Sequence, residues 1–162
     1  MKKIIKVILP LLLIILINNC GYTPIFNSAN SNLNFEITEH VISGDTKTGN
    51  IILSNLKRNL TIRENNKKIK VIINSTQSKV ATTKSSTGKA TAYRIKVESN
   101  IEIIDYDMGN VILADTFSSS LNYKVQDQYS DTINVEEKTL KNILLRIHEN
   151  LIIKISKASV ES

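Results

Sequence analysis

The chain has 162 residues, a formal net charge of +6 and one cysteine, Cys20. A single cysteine excludes an internal disulfide, a cysteine-based zinc cluster and a Cys-x-x-Cys redox pair. Without the three lysines of the N-terminal segment, 18 basic and 15 acidic side chains remain, and this surplus is too small for a nucleic-acid-binding surface, so we expect no nucleic-acid partner.

The N-terminus predicts a lipoprotein signal peptide, residues 1–19. Two lysines precede an apolar stretch from Ile4 to Ile17 that Lys6 and Pro10 interrupt. This stretch is shorter than the about 20 apolar residues that span a bilayer, which favours a cleaved signal over a transmembrane helix. The alternatives are an uncleaved N-terminal anchor and a buried helix, and Pro10 disfavours the second because proline breaks helices.

Cys20 follows this stretch at the position where a bacterial lipoprotein receives its lipid. There the sulfur takes a diacylglyceryl group as a thiolate nucleophile, and the signal is cut just before the cysteine. Two or more acyl chains would anchor the protein stably in a membrane. Ile17 fits the lipobox, whereas Asn18 and Asn19 replace its small residues; Gly21 permits outer-membrane sorting. The alternative is a buried or incidental cysteine.

Residues 20–33 predict a lipidated cysteine with a polar tether, and residues 34–158 a single domain. Alternating apolar residues predict a first strand from Asn34 to Ile42. The following SGDTKTG segment indicates a turn and a helix start, with Asp45, Thr46 and Thr48 as candidate caps. Apolar residues at helical spacing then predict a helix over 49–63, which the ENNKK segment ends.

Three strands and a second helix complete the predicted fold. The strands cover 69–83, 93–103 and 111–125, with turns at KSSTGK and DMGN between them. A helix over 130–156 carries the apolar stripe Leu140, Ile143, Leu144, Ile147, Leu151 and Ile155. The expected class is α+β: two helices packed on one face of a four-stranded, largely antiparallel sheet, in the order β-α-β-β-β-α.

The sequence carries no pattern typical of an active site. HExxH, GxSxG, GxGxxG and Walker motifs are absent. His148 is expected on the surface and His40 alternates away from Val41 on a strand, while Asp105 and Asp107 are expected to shape a turn. We therefore expect no enzyme activity, no metal and no cofactor.

Basic residues cluster around the turn between the second and third strands. Lys84 and Lys89 flank the turn, and Arg94 and Lys96 follow on the polar face of the next strand. These four residues form a candidate binding site for the phosphates of lipopolysaccharide, where arginine offers a bidentate contact. The alternative is a solvated turn whose lysines prevent edge pairing.

Three passages resemble the LptE family of lipopolysaccharide-assembly lipoproteins, most closely its α-proteobacterial branch. They are the opening CGYTPIF, the hairpin ATAYRIKVESNIEIIDYDMGNVILADTFSSSLNY and the tail YSDTINVEEKTLKNILLRIHENLIIKI. Together they extend over almost all of the chain from Cys20 to about Ile155. The chain departs from that branch at Asn19 and between Val135 and Leu140, where the small alanines usual in the helix are missing.

The resemblance implies an outer-membrane lipoprotein that faces the periplasm and plugs an LptD-like β-barrel. It also implies that the protein assists assembly of the barrel and binds lipopolysaccharide for delivery to the outer leaflet, without enzyme activity. The alternatives are a periplasmic accessory lipoprotein of a lipid-transport ATPase and a lipid-anchored hydrolase. A co-purifying partner separates the first two, and the third would need a pocket of convergent titratable groups.

Overall fold

The computed structural model describes residues 33–60 and 66–161, which form a four-stranded sheet and two helices. The predicted signal peptide, Cys20 and the predicted tether up to residue 32 lie outside the described residues. The elements are β1 (Phe35–Gly44), α1 (Thr46–Arg58), β2 (Lys67–Lys84), β3 (Ala90–Asp105), β4 (Val111–Lys124) and α2 (Tyr129–Glu161). The predicted α+β class and element order are confirmed.

The four strands lie side by side in sequence order. Strand β1 is parallel to β2, and α1 makes the connection between them. The pairs β2–β3 and β3–β4 are antiparallel hairpins. The sheet is therefore mixed, since it contains one parallel pair and two antiparallel pairs. A parallel pair needs a crossover connection, and α1 provides it here.

Helix α1 begins at a predicted cap and ends earlier than its apolar residues predict. The Asp45 side chain accepts a hydrogen bond from the Thr48 backbone N–H at 3.0 Å, which confirms Asp45 as the cap among the three candidates, and the helix starts directly after it. After Arg58 the chain leaves the helix, and Leu60 bridges in parallel to Leu33. The prediction of a helix to residue 63 was wrong, and both lysines of the ENNKK segment belong to β2.

The predicted apolar faces of the strands and helices form one core. Along β3, odd-numbered residues from Ile95 to Asp105 are buried, and the even-numbered ones lie on the opposite face of the sheet. Both helices contribute to this core, α1 with Ile52, Leu53 and Leu56 and α2 with Ile143, Leu144, Ile147, Leu151 and Ile155. The helices therefore cover the same face, and no described element covers the other, which we call the open face.

Two bulges place apolar side chains away from the core. A register shift after Ile37 in β1 leaves Val41 43% exposed and turns Ile42 toward α1. A second shift, after Ile103 in β3, leaves Val111 56% exposed on β4. Val41 and Val111 belong to the alternating apolar residues of their strands, so simple alternation does not predict their exposure.

Helix α2 extends the predicted range by one residue at its start and five at its end. Its exposed side chains include Lys141, Arg146, Glu149 and Lys154, as predicted. Lys154 Nζ lies 2.7 Å from Asp115 Oδ2 of β4, which joins the helix to the edge of the sheet. Within the described residues, no helix is long and apolar enough to cross a membrane.

His148 is not the surface side chain that its sequence position suggests. Asn59 Nδ2, at the end of α1, lies 2.6 Å from His148 Nε2, and His148 Nδ1 is buried without a hydrogen-bond partner among the described residues. Burial lowers the pKa of His148, the Glu149 carboxylate opposes this effect and the Arg58 guanidinium adds to it. The imidazole is thus neutral in the folded protein at pH 7 and accepts the Asn59 amide proton.

We expect His148 to make the domain less stable in mild acid. The unfolded state takes up a proton near the ordinary histidine pKa of about 6.5, while the folded state resists protonation, so the free energy of unfolding falls as the pH drops below that value. Urea unfolding of wild type and His148→Gln at about pH 7.5 and pH 5 measures this contribution. The loss should be smaller in His148→Gln and unchanged in His40→Gln, whose side chain is exposed; equal losses in all three proteins would contradict it.

Candidate functional site

The hairpin of β2 and β3 ends in a tight turn that presents its lysines to solvent. The Ser85 N–H donates to the Lys89 carbonyl oxygen at 2.8 Å, and the Gly88 N–H donates to the Ser85 carbonyl oxygen at 2.9 Å. Gly88 has a φ of 82°, which an L side chain rarely adopts. Lys84 ends β2 and Lys89 precedes β3, and both side chains are exposed, so the structure places them where the sequence predicts.

Arg94 and Lys96 lie together on the open face, as their spacing predicts. The Arg94 Nε–H donates to Asn122 Oδ1 of β4 at 3.0 Å, and no described carboxylate pairs with this guanidinium. Lys96 differs because its Nζ lies 2.7 Å from Glu98 Oε2. Arg94 is therefore the better anion ligand of the two, since Glu98 already neutralises Lys96.

A polar cleft of about 640 Å³ lies between the ends of β2, β3 and β4. Its lining includes Thr82, Thr83, Thr91, Asn122 and Lys124. The Thr83 and Thr91 hydroxyl oxygens lie 2.9 Å apart, and Asn122 is the residue that holds Arg94. Hydroxyl donors beside one lysine and one arginine suit an anionic group such as a phosphate.

Lys89 lines a different cleft, on the helix-covered side of the sheet. This cleft of about 330 Å³ also includes Lys79, Tyr93, Tyr129 and Glu136. Because Arg94 and Lys96 point to the open face, the four predicted ligands do not converge on one pocket. The structure brings Arg94 and Lys96 together, keeps Lys89 apart from them and leaves Lys84 at the end of the hairpin.

Lys79 is occupied by an internal ion pair and is not free for a ligand. Its ammonium group contacts Glu136 in the first turns of α2 and lies 4.8 Å from the centre of the Tyr93 ring. The Tyr123 hydroxyl donates to the same Glu136 carboxylate at 2.7 Å, and the two tyrosine rings stack with their centres 5.8 Å apart. These contacts attach the N-terminal part of α2 to strands β2, β3 and β4.

The charges of this cluster stabilise each other. Burial alone would raise the pKa of Glu136, but the hydrogen bonds from Lys79 and Tyr123 outweigh burial and lower it. Burial alone would lower the pKa of Lys79, and the hydrogen bond to Glu136 reverses that effect. Both groups are therefore charged at pH 7.

Asp105 shapes the turn between β3 and β4 with its carboxylate, as predicted, whereas Asp107 contributes its backbone N–H. Asp105 Oδ1 accepts the backbone N–H groups of Asp107 and Met108, both at 3.0 Å, and Asp105 Oδ2 lies 3.1 Å from Lys67 Nζ. The Met108 N–H and the Lys67 ammonium hold the pKa of Asp105 below its usual range. All of these contacts favour the ionised carboxylate, which is the state that the turn needs.

The four predicted ligands did not include Asn122 and Lys124, which line the polar cleft between the ends of β2, β3 and β4. The alternation Ser118, Ser120, Asn122 and Lys124 places them on one polar face of β4, and this signal is present in the sequence. Their position beside Arg94 depends on the register Arg94↔Asn122 and Ala92↔Lys124. That register follows from the bulge after Ile103 and the length of the turn, which alternation alone does not specify.

Solved structures of bacterial lipoproteins share this fold. A lipoprotein candidate from Caulobacter crescentus superposes with a TM-score of 0.60 at 10% sequence identity, over 83% of this chain and 96% of that chain. The rare lipoprotein B from Shewanella oneidensis gives 0.55 at 9%, over 76% and 97%. A minor lipoprotein from Acinetobacter baumannii gives 0.53 at 15%, over 77% and 92%.

At these identities the likeness shows the fold alone. No protein-family model matches the chain, and no curated protein is similar to it in sequence. The described domain thus has a fold that occurs in bacterial lipoproteins.

Proposed function

We propose that this protein is a lipid-anchored lipoprotein of the outer membrane, similar to the LptE family, that faces the periplasm. In this role it plugs an LptD-like β-barrel, assists assembly of that barrel and binds lipopolysaccharide for delivery to the outer leaflet. One observation carries this assignment: a lipoprotein-type N-terminus precedes a domain whose fold occurs in solved lipoproteins. The role requires binding surfaces and no catalytic step.

The basic hairpin end supports the lipopolysaccharide part of this role. Lys84 and Lys89 extend from the turn, while Arg94 and Lys124 lie beside the cleft on the open face. Lipopolysaccharide carries phosphates, which arginine binds in bidentate fashion and lysine binds as a point charge. The sides of the hairpin can therefore engage separate anionic groups of one large ligand.

Co-purification tests the proposed partner. The full chain carries an affinity tag at its C-terminus and is extracted from envelope membranes in mild detergent. A large outer-membrane β-barrel should co-purify. An inner-membrane lipid-transport ATPase in its place would support the alternative of an accessory subunit and overturn the barrel assignment.

Lipidation of Cys20 is expected to depend wholly on its thiol. Labelled palmitate should enter the wild-type protein and should not enter Cys20→Ala, because only the thiolate accepts the diacylglyceryl group. Cys20→Ser should leave the circular dichroism spectrum of the domain unchanged, since a polar tether separates residue 20 from β1. Equal labelling of wild type and Cys20→Ala would refute lipidation at this position.

Charge reversal at the hairpin turn is expected to weaken lipopolysaccharide binding. The double variant Lys84→Glu with Lys89→Glu should bind less tightly than wild type, and the difference should be larger at low salt because exposed charges are screened beyond about 10 Å at 0.1 M. The matched control is Lys57→Glu with Lys138→Glu, which makes the same change of charge on exposed positions of the two helices. Equal affinities of both double variants at low salt would show that Lys84 and Lys89 do not bind lipopolysaccharide and only keep the turn solvated.

A further inference from the structure

The two helices enclose an apolar groove on the side of the domain away from the sheet. Its volume is about 530 Å³, within the range of small-molecule sites. The apolar part of its lining is purely aliphatic and consists of Ile51, Leu140, Leu144 and Leu145. Leu145 is 51% exposed, so a ligand that covers it removes apolar surface from water.

Three cations line the same groove and have no carboxylate partner among the described residues. Lys47 and Arg58 come from α1 and Lys141 from α2, and all three are exposed. None of the ion pairs among the described residues involves them, whereas Lys67, Lys70, Lys79, Lys96 and Lys154 each contact a carboxylate. Glu137 is the one acidic residue among the described lining residues, which therefore carry a surplus of two positive charges.

The groove has the length of an extended acyl chain. Its α1 wall runs from Lys47 to Arg58, which at 1.5 Å per residue is roughly 16 Å. The bond between Asn59 and His148 brings the ends of the two walls together near Arg58. Both walls are helices whose backbone groups bond internally, so the groove offers no ladder of donors and acceptors to an extended peptide.

We infer that this groove binds one acyl chain of an anionic phospholipid, with the chain against the aliphatic lining and the phosphate at Lys47 and Lys141. The complementarity is both apolar and electrostatic: an uncharged chain fills the groove, and the unpaired cations at its rim select a negative headgroup. This site is separate from the hairpin end and does not depend on the proposed function.

Photocrosslinking of the full chain tests this site. The protein is reconstituted in nanodiscs of phosphatidylcholine and exposed to photoreactive lysophosphatidylglycerol, which has one acyl chain and exchanges through water. The comparison probe is lysophosphatidylcholine with the same photoreactive chain and a zwitterionic headgroup. Mass spectrometry should locate crosslinks of the anionic probe on the groove-lining residues of α1 and α2, with far fewer from the zwitterionic probe.

Two variants separate the roles of charge and chain. Lys47→Glu with Lys141→Glu should reduce groove crosslinking by roughly tenfold or more, while Lys57→Glu with Lys138→Glu, outside the groove on the same helices, should leave it unchanged. Leu145→Asp should also reduce it, and circular dichroism should show that each variant remains folded. Glycerol phosphate in excess should not compete, because it lacks the chain.

Four outcomes would overturn the lipid site. They are equal crosslinking by the two probes, equal loss in the two lysine pairs, full competition by glycerol phosphate, and no groove crosslink from either probe. The third would indicate a simple anion site, and the last a groove that a protein segment covers. Barrel co-purification and hairpin binding are measured separately, so failure here is distinguishable from failure of the proposed function.

Discussion

Replacement of Ile147 with aspartate is expected to abolish the cooperative unfolding transition of the domain. Ile147 is 0% exposed and lies in the core formed by both helices and the sheet. An uncompensated buried charge costs about 3–5 kcal/mol, and loss of the isoleucine side chain adds about 2–5 kcal/mol. Together these approach the total stability of a typical domain, about 5–15 kcal/mol. A circular dichroism melt of the purified variant measures the effect.

Leu145→Asp is the matched control for Ile147→Asp. It introduces the same carboxylate two residues earlier on α2, where the side chain is 51% exposed. The charge there remains hydrated, so the melting temperature should stay close to that of wild type. A melt of Ile147→Asp that matches both Leu145→Asp and wild type would show that the stripe of α2 does not face the core.

The contrast between these two positions explains why most of the fold was predictable. A helix buried on one side repeats its apolar residues every 3.6 positions, and a strand covered on one side repeats them every two. The stripe of α2 and the alternation of β3 follow these periods over many residues, so their inward faces were identified correctly. Asp45 and Gly88 added local chemistry, a helix cap and a turn residue, that also depends only on neighbouring sequence.

Errors arose where the structure depends on contacts distant in sequence. The bulges that expose Val41 and Val111 insert a single residue into an otherwise regular pattern, and a strict two-residue period cannot predict where such an insertion occurs. Helix α1 ends early, and Leu60 just beyond it bridges to Leu33, which precedes it by a whole strand and helix. His148 is half-buried because Asn59 reaches it across the helix pair.

In the candidate site too, local spacing predicted some features, whereas others depend on contacts between distant parts of the chain. The sequence places Arg94 and Lys96 on one face, because the spacing of two residues requires it. The same spacing places Glu98 next to Lys96, although it does not show that the two side chains pair. The contact between Glu136 and Lys79 is not indicated by the sequence, since it depends on the position of α2 against the hairpin. A count of lysines therefore overestimates the free positive charge of the hairpin, and ion pairing decides which cations remain available.

Replacement of Gly44 with alanine is expected to lower the free energy of unfolding strongly, although it adds a single methyl group. It ends β1 with a φ of 72°, and a Cβ atom there would lie 2.2 Å from the Ser75 carbonyl oxygen and 2.8 Å from Asn74 Oδ1. The next residue, Asp45, donates its backbone N–H to the same Ser75 oxygen at 2.6 Å and caps α1. The crossover from β1 to α1 thus passes so close to β2 that only glycine fits.

Gly44→Ala should therefore lower the free energy of unfolding by more than backbone strain alone explains. Gly88→Ala isolates that strain, because Gly88 has a similar φ of 82° and nothing within 4 Å of an added Cβ; its expected loss is about 1–2 kcal/mol. At Gly44 the chain must also move away from Ser75, which weakens the Asp45 hydrogen bond and the start of α1, so the loss should be on the order of 3 kcal/mol or more. Urea unfolding of the two alanine variants, with linear extrapolation to zero urea, gives both losses in the free energy of unfolding. Equal losses would mean that the contact with Ser75 relaxes freely, and the close approach of β1 to β2 would then contribute nothing to the rigidity of the crossover.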